Sequence, residues 1–354
     1  MPKHKIGLVG YLGYAVENPI IGGQMSKTRG IYDQLKKQFG EDSVIVVDTS
    51  NWKKEKFKLV MQCLKVAFKC KPVIIMPNKN GIKFVLPFFS SLKGLCGYKI
   101  AYPVVGGWLT GLLKKHNYLA KGIKKVDYIL PETKALMNEL KEFADCPIEV
   151  MPIFSTRTPV DEKSIKSEFS EPIKFCTFSR VTPEKGIDDA IKAIQAVNEK
   201  MQCQVCKLDV YGPIDPNYTE HYKVLFDKSK AFVSYKGVLS GDDSLTTLSD
   251  YYMLLFPTYY PGEGFPTTVC ESFMSGLPVI ASDWRFNNEL VANDKTGYLV
   301  PAHDTDKLAE KIIDSINNQD KIIEMRKNCL EKSKEYQPER VMKSLSEWIV
   351  KNNV

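Results

Sequence analysis

The sequence predicts an α/β protein made of two doubly wound parallel sheets. Short apolar runs alternate with amphipathic segments along the chain, as they do when helices cover both faces of a parallel sheet. The alternation stops in a polar segment at residues 155–171 and then restarts. The length of 354 residues is itself that of two domains.

The first predicted domain covers residues 1–156. Its apolar runs predict strands at residues 6–10, 44–47, 73–76, 98–105, 126–130 and 148–151. Apolar residues at helical spacing predict helices at residues 24–39, 57–68 and 133–143, with a further apolar segment at 81–92. The first strand leads through a glycine-rich loop, which ends at Gly22 and Gly23, into a helix. This layout is that of a turn that approaches phosphate, and a plain loop is the alternative.

The second predicted domain covers residues 171–336. Its strands are predicted at residues 173–178, 208–211, 232–235, 252–256, 277–281 and 297–300. Helices are predicted at residues 187–199 and 267–275, and from about residues 304 and 320. Residues 337–354 form a separate amphipathic helix, with Val341, Leu345, Trp348 and Ile349 on its apolar face.

The charge is unevenly distributed. Residues 1–156 hold 24 Lys and Arg against 12 Asp and Glu, a net charge of +12, and the remaining residues hold 25 against 30, a net charge of −5. The asymmetry indicates an anionic partner for the first half. Large apolar residues lie among its lysines: Trp52, Phe57, Phe68, Phe84, Phe88 and Phe89. They are either buried core or part of a surface that docks on an anionic membrane.

Other partners and compartments are constrained by composition. The sequence has no apolar run long enough to span a bilayer, and its first ten residues are typical of a strand rather than a signal peptide. Nine scattered cysteines predict reduced thiols and a cytoplasmic location. We assign Cys203 and Cys206 to a helix-to-strand connection rather than to a zinc or redox site. No nucleic-acid motif is recognisable, so nucleic acid is not a predicted partner.

Residues 259–282 indicate a loop, a helix and a strand. The loop contains Glu263, and Glu271 lies about two turns into the helix. A helix N-terminus suits phosphate, whereas two carboxylates beside it suit the hydroxyl groups of a sugar. The alternative is that Glu263 is a solvated loop residue and Glu271 an ordinary residue on the face of the helix.

This stretch resembles the signature of the retaining glycosyltransferases of family 4, which have the GT-B fold: a Glu, seven residues and a second Glu around a Gly-Phe-Pro turn. The resemblance implies that Glu263 contacts the transferred sugar and that Glu271 binds the ribose of the nucleotide. Backbone groups of the intervening turn would face sugar and phosphate, at Gly264, Phe265, Pro266, Thr267 and Thr268.

A second signature lies after the first strand of the second domain. The run at residues 178–187 contains Arg180 and Lys185, which the resemblance assigns to the leaving diphosphate. Such cations would stabilise the negative charge that develops when the bond to the sugar breaks. The same resemblance implies that Gly22 and Gly23 let the backbone approach donor and acceptor, that the two domains face each other across a cleft, and that the terminal helix crosses back to the first domain.

The chain departs from the family pattern at one place. Where the family often carries a histidine near the donor sugar, this sequence has Gly106 and Gly107, followed by Trp108. The Gly-Gly-Trp turn resembles that of some capsule and surface-polysaccharide transferases. Asp304 and Asp306 form an Asp-x-Asp motif directly before a helix, which predicts an N-cap rather than a metal site.

The resemblance implies a retaining hexosyl- or N-acetylhexosaminyl-type transferase. The donor would be a nucleotide-diphosphate sugar, with UDP favoured, and the acceptor a glycan or a lipid-linked glycan in surface polysaccharide synthesis. Catalysis is assigned to Arg180, Lys185 and Glu263, with no cofactor and no metal. The expected location is the cytoplasm, peripheral on the inner face of the membrane. A non-catalytic nucleotide- or glycan-binding module and a sugar-nucleotide epimerase are the alternatives.

Overall fold

The computed structural model describes residues 4–17, 22–239 and 244–353. It divides into two compact units. Unit 1 comprises Met1–Thr156 together with Tyr336–Val354, and unit 2 comprises Arg157–Glu335. The C-terminal segment therefore belongs to the same unit as the first 156 residues.

Unit 1 contains one parallel sheet within the described residues, in the order β2-β1-β3-β4-β5. Its strands are β1 (Lys5–Gly10), β2 (Val44–Asp48), β3 (Cys70–Met76), β4 (Ile100–Pro103) and β5 (Tyr128–Leu130). The helices before unit 2 are α1 (Gly23–Phe39), α2 (Lys56–Lys69), α3 (Ile82–Cys96), α4 (Leu109–Lys115), α5 (Asn117–Ile123) and α6 (Lys134–Leu140).

Unit 2 also contains one parallel sheet within the described residues, in the order β11-β10-β9-β6-β7-β8. Its strands are β6 (Ile173–Phe178), β7 (Cys206–Tyr211), β8 (Val233–Gly237), β9 (Leu254–Phe256), β10 (Val279–Ser282) and β11 (Gly297–Val300). Its helices are α7 (Ile187–Lys200), α8 (Thr219–Lys228), α9 (Ser244–Ser249), α10 (Thr267–Met274), α11 (Asn287–Leu290), α12 (Thr305–Asn317) and α13 (Gln319–Ser333). The chain then returns to unit 1 through α14 (Pro338–Val341) and α15 (Lys343–Asn352).

Burial of apolar residues holds each sheet between helices. In unit 1, Ile31 and Leu35 of α1 share a core with Leu345 and Ile349 of α15, all of them fully buried. Burying such side chains stabilises a fold by about 1.5–3 kcal/mol each. The terminal helix is therefore an integral part of the first core. The prediction of two parallel-sheet α/β domains is confirmed.

Local differences from the predicted elements have simple causes. Residues 148–151 do not form a strand, since only Ile148 makes an isolated bridge, to Ile129. The periodicity missed α8, α9 and α11, which are short or carry weak apolar patterns. Part of the glycine-rich loop, residues 18–21, lies outside the described residues.

The aromatic residues of the lysine-rich region are partly buried core and partly exposed surface. Phe89 is fully buried, as the core interpretation requires. Phe57 and Phe68 are 81% and 64% exposed, so for them that interpretation was wrong. Leu59, Cys63, Val66 and Ala67 form the buried face of α2 instead. No helix among the described residues has the length and hydropathy needed to cross a bilayer.

Candidate active site

The predicted site residues of unit 2 gather near the carboxyl ends of three neighbouring strands. In the sheet, β6 lies between β9 and β7, so the segments that follow these strands emerge at one edge. Two glycines allow them to pack closely. A Cβ atom at Gly186 would collide with the carbonyl of Pro257, and one at Gly212 would collide with the carbonyl of Ser179. Both glycines also have positive φ angles, 72° and 131°, which other residues rarely adopt.

Lys185 and Glu263 form an ion pair at this edge. The Lys185 ammonium lies 2.5 Å from Oε2 of Glu263, and the two side chains are only 11% and 8% exposed. The Thr258 hydroxyl donates a second hydrogen bond to the same oxygen, at 2.9 Å. Breaking a buried pair of this kind leaves an uncompensated charge, so its two members hold each other in position.

Tyr260 places its ring beside both predicted cations. The Arg180 guanidinium carbon lies 5.6 Å from the ring centroid, and the Lys185 nitrogen lies 5.1 Å from it. The indole N–H of Trp284 donates to the Tyr260 carbonyl at 2.9 Å and so anchors this loop. Arg180 itself is exposed, whereas the side chain of Lys185 is largely buried, so the two cations share an aromatic neighbour but differ in solvent access.

Helix α10 begins directly after the glycine-rich turn. Pro266 is its N-cap in an extended conformation and supplies no side-chain cap, so the first amides of the helix are not satisfied from that position. The Thr268 hydroxyl donates to the carbonyl of Phe178, the last residue of β6, at 2.7 Å. The helix N-terminus is thereby tied to the strand that precedes Arg180. Gly264, Phe265 and Pro266 are buried, and Thr267 is half-buried.

Glu271 has a partner that the sequence did not reveal. Nη1 of Arg157 lies 3.0 Å from Oε1 of Glu271 and also donates to the Ser244 hydroxyl, at 2.5 Å. Burial raises the pKa of Glu271 above its usual value, and the nearby Arg157 opposes this effect. Arg157 lies in the segment predicted as a linker, where nothing in the local pattern distinguishes it from a solvated charge. Arg157 is the first residue of unit 2, which also contains Glu271.

Beside Arg180 lies a polar cavity of about 200 Å³. Its lining combines hydroxyl, carboxylate, amide and aromatic groups, from Arg180, Thr182, Glu184, Asp215, Asn217, Tyr218 and Tyr260. Such groups are the usual partners of sugar hydroxyls, because they donate and accept hydrogen bonds next to an aromatic face. Sequence patterns did not point to the residues after β7 that contribute to it.

The remaining predicted positions lie elsewhere. Gly22 is the N-cap of α1 and Gly23 its first residue, both in unit 1. Also in unit 1, the Gly106 amide donates to Glu132 at 2.9 Å, and Glu132 is 3.4 Å from the fully buried ammonium of Lys27. This buried pair, which sequence reasoning missed, thus holds the glycine turn where the family often has a histidine. Burial lowers the pKa of Lys27, and Glu132 opposes the shift.

The Asp-x-Asp motif is part of a helix cap in this structure. The Asp304 carboxylate accepts a hydrogen bond from the Lys307 amide at 2.9 Å, and Asp306 lies in the first turn of α12. Both acids therefore stand where the helix dipole favours negative charge.

The two parallel-sheet α/β units have the fold of the GT-B glycosyltransferases. The chain belongs to the glycosyl transferases group 1 family, whose sequence profile matches residues 160–336, half of the chain. The match covers α10, Arg180, Lys185, Glu263 and Glu271, and begins just after Arg157.

Proteins with similar sequences are also named as glycosyltransferases. The chain is 28% identical over 245 residues to the UDP-N-acetylglucosamine–peptide N-acetylglucosaminyltransferase GtfA subunit of Streptococcus gordonii, covering 64% of this chain and 45% of that protein. It is 26% identical over 231 residues to the poly(ribitol-phosphate) α-N-acetylglucosaminyltransferase of Staphylococcus aureus, covering 63% and 44%. The chain therefore spans less than half the length of these two relatives.

An uncharacterized glycosyltransferase of Methanocaldococcus jannaschii aligns over a larger part of its length. It is 24% identical over 381 residues, covering 89% of this chain and 90% of that protein. Among solved structures, Anabaena Alr3699/HepE in complex with UDP has a TM-score of 0.74 at 14% identity, covering 98% of this chain and 100% of that one. The pneumococcal O-GlcNAc transferase GtfA, with UDP and GlcNAc, has a TM-score of 0.63 at 19% identity, covering 84% and 60%. At these identities the structural likeness shows the fold, and the solved structures are GT-B glycosyltransferases.

Proposed function

We propose that this protein is a retaining glycosyltransferase that moves a sugar from a nucleotide-diphosphate sugar to a glycan or lipid-linked acceptor. The observation that carries the proposal is the buried Lys185–Glu263 pair, which sets a cation and a carboxylate side by side next to Tyr260, whose ring also lies near Arg180. A diphosphate ester of a sugar offers one anionic group and one hydroxyl-rich group, and this pair matches both.

The cations would act on the leaving group. When the bond between sugar and diphosphate breaks, negative charge grows on the diphosphate and positive charge on the sugar. Lys185 and Arg180, with the N-terminus of α10, would stabilise the first of these charges without any protein nucleophile. In this structure Lys185 donates a hydrogen bond to Glu263. A donor phosphate bound near Lys185 would compete for that ammonium group and free Glu263 to accept a hydrogen bond from a sugar hydroxyl. Transfer on the face that the donor phosphate leaves would retain the anomeric configuration.

The second carboxylate would hold the nucleoside. Glu271 lies within α10 and pairs with Arg157, whereas Glu263 pairs with Lys185. A carboxylate that accepts two ribose hydroxyl groups makes strong charge-assisted hydrogen bonds. Arg157 then acts as a positioning residue, through Glu271.

The finer identity of the substrates rests on relatives. UDP is the proposed nucleotide because Anabaena Alr3699/HepE and pneumococcal GtfA were solved with UDP. A hexose or N-acetylhexosamine is the proposed sugar, since the S. gordonii and S. aureus relatives are named as N-acetylglucosaminyltransferases. Surface polysaccharide synthesis, including capsule, is the proposed context, as relatives in Escherichia coli and Erwinia amylovora are named for colanic acid and amylovoran biosynthesis. We further propose that the reaction needs no metal, because Arg180, Lys185 and the N-terminus of α10 supply the positive charge.

A lipid-linked acceptor would be reached at a membrane. We propose peripheral attachment to the anionic inner face of the cytoplasmic membrane, supported by the +12 net charge of residues 1–156 and by the exposure of Phe57 and Phe68. Exposed aromatic residues among lysines are typical of segments that lie in the membrane interface.

A donor screen tests the proposal. Thermal unfolding is measured with a panel of UDP-, GDP-, ADP- and dTDP-linked sugars, and each sugar is then assayed for slow hydrolysis. A ligand that binds only the folded state raises Tm, by an amount set by its concentration over its Kd. We expect protection and hydrolysis with a UDP-linked sugar. Protection without hydrolysis or transfer would instead favour the non-catalytic module, and no response to any nucleotide sugar would contradict the proposal.

A further inference from the structure

Helix α2 has a second apolar face, turned to solvent. Phe57, Met61 and Phe68 are 81%, 51% and 64% exposed. They are four and seven residues apart, so they lie on one stripe of the helix, away from the buried stripe of Leu59, Cys63, Val66 and Ala67. The buried face already packs α2 against the core of unit 1, so the exposed apolar face is not required for folding.

Helix α3 repeats this arrangement. Phe84 and Leu95 are 36% and 78% exposed, and Phe88, at the position between them on the same stripe, is half-buried. The rings of Phe84 and Phe88 are 5.4 Å apart. Since α3 contacts both α2 and α5, the exposed side chains of α2 and α3 belong to neighbouring helices of unit 1. Large exposed apolar side chains grouped on neighbouring helices are typical of an interaction site.

The charge of the same layer is of one sign. Between Glu55 and Asp127 the chain contains 14 lysines and no Asp or Glu. Lys56, Lys58, Lys65 and Lys69 are exposed along α2, beside its apolar stripe. A second copy of this chain would present like charge to this surface and be repelled, whereas a layer of anionic groups would be attracted.

A lysine-lined cavity lies at the end of α3. It has a volume of about 580 Å³ and is lined by Ser90, Ser91, Lys93, Gly94, Gly97, Tyr98, Lys99, Lys124 and Lys125. Lys93 and Lys99 pair with Asp127, at 2.8 and 3.2 Å. Lys124 and Lys125 have no carboxylate partner among the residues that the structure describes, so the cavity carries a net positive charge. Its position is at the amino ends of β4 and β5, at the sheet edge opposite to Gly106 and Glu132.

The cavity adjoins the exposed apolar stripe. Leu95 lies between the lining residues Gly94 and Gly97 in sequence and is 78% exposed. An apolar side chain next to a cavity of ammonium groups matches the chemistry of a phospholipid, with its acyl chains beside an anionic phosphate. Lysine ammonium groups bind phosphate as point charges.

We propose that the outer layer of α2 and α3 docks on an anionic bilayer and that the lysine cavity binds the phosphate of a lipid headgroup. The stripes of Phe57, Met61 and Phe68 and of Phe84 and Leu95 enter the interface, and the lysines face the headgroups. This inference rests on the membrane part of the proposed function and adds to it a specific headgroup site.

Vesicle co-sedimentation tests the cavity with the full chain. The vesicles are phosphatidylcholine alone, or equal parts of phosphatidylcholine and phosphatidylglycerol. Wild-type protein is expected to bind the mixed vesicles at low salt, to bind phosphatidylcholine weakly, and to be released at high salt. The variant Lys124→Gln/Lys125→Gln should lower the partition coefficient on mixed vesicles by about 10- to 30-fold, since each lysine at the headgroups contributes on the order of a factor of five.

Two further variants make this result specific. Lys228→Gln/Lys230→Gln removes the same charge from exposed lysines of unit 2 and should change binding by less than about threefold. Phe57→Ser/Phe68→Ser should reduce binding while leaving Tm unchanged, because both side chains are exposed. Equal binding by the cavity variant and its control would overturn the headgroup site while leaving membrane attachment standing. Failure of wild-type protein to bind mixed vesicles would overturn both, and the donor screen above would still decide the transferase activity.

A separate experiment distinguishes a lipid headgroup from soluble phosphate as the ligand of the cavity. Inorganic phosphate is compared with chloride at equal ionic strength, with Tm as the readout. We expect no protection that depends on Lys124 and Lys125. Protection of wild-type protein but not of the cavity variant, without vesicle binding, would show that the cavity serves a soluble anion and would contradict the lipid assignment.

Discussion

The candidate site of unit 2 and the layer of α2 and α3 in unit 1 use charge in opposite ways. In unit 2, Lys185 with Glu263 and Arg157 with Glu271 are compact pairs, each with at least one member largely buried. In the α2–α3 layer, the lysines of α2 and Lys83 of α3 are exposed, and the sequence has no carboxylate between Glu55 and Asp127. Paired, buried charges are preorganised for one small ligand with defined geometry, whereas an exposed field of one sign suits an extended partner. The difference teaches that the net charge of a region says less about its ligand than the burial and pairing of its charges.

The largest effect is expected from Lys185→Met. Turnover should fall by about 100- to 1000-fold, because a preorganised cation near the leaving group is lost. The variant should also be less stable, by roughly 3 kcal/mol, since Glu263 is left buried without its cation. Kinetics with the donor from the screen and denaturant unfolding measure the two effects.

A double variant separates stability from catalysis. Lys185→Met/Glu263→Gln removes the unpaired charge and should recover most of the lost stability without recovering turnover. Lys200→Ala, at an exposed lysine of α7, serves as the control and should change neither. Full turnover in Lys185→Met would break the comparison, because the buried pair would then be structural only.

A smaller effect is expected from Arg157→Ala. Glu271 would lose the charge that opposes the rise in its pKa and the bond that orients it. Nucleotide binding should weaken by about 10-fold or more, which is the scale of a lost charge-assisted hydrogen bond. Titration calorimetry measures the change, and Arg157→Lys should restore part of it. An unchanged Kd for nucleotide in Arg157→Ala would remove its positioning role.

The smallest effect concerns the pH dependence of stability. Because the pKa of Glu271 is raised in the folded state, folding is favoured most when this carboxyl is protonated. That contribution is fully present below the usual Glu pKa and is lost as the pH rises through the raised value. Glu271→Gln should therefore be equal to wild type in Tm at low pH and higher by a few degrees near neutral pH. A difference in Tm that stays constant with pH would contradict this assignment.

The sequence predicted the elements that rest on strong local patterns. Strands β6 and β11 were predicted at their observed bounds, and α10 within one residue, because apolar runs and flanking Gly and Pro mark them clearly. The cap at Asp304 was predicted for the same reason. The signature also selected Lys185 and Glu263, which the structure shows in contact although they lie 78 positions apart.

Other features depend on tertiary contacts and could not be read from local pattern. Arg157 looks like any charge in a polar segment until its contact with Glu271 is seen. The Lys27–Glu132 pair joins residues 105 positions apart, and a buried lysine has no sequence signal of its own. Helical spacing showed that Phe57 and Phe68 share a stripe with Met61, but α2 carries two apolar stripes, and only the fold decides which one is buried.

Calorimetric titration of UDP into wild-type protein and two matched variants tests the central claim most directly, namely that unit 2 binds the nucleotide-sugar donor through two carboxylates with separate roles. We expect wild-type protein to bind UDP. Glu271→Gln should weaken this binding by about 10-fold or more, because hydrogen bonds to the ribose are lost. Glu263→Gln should bind UDP nearly as wild type does but should not transfer the sugar. Loss of UDP binding in Glu263→Gln with full binding in Glu271→Gln would contradict the assigned roles, and absence of UDP binding by the wild-type protein would contradict the choice of donor nucleotide.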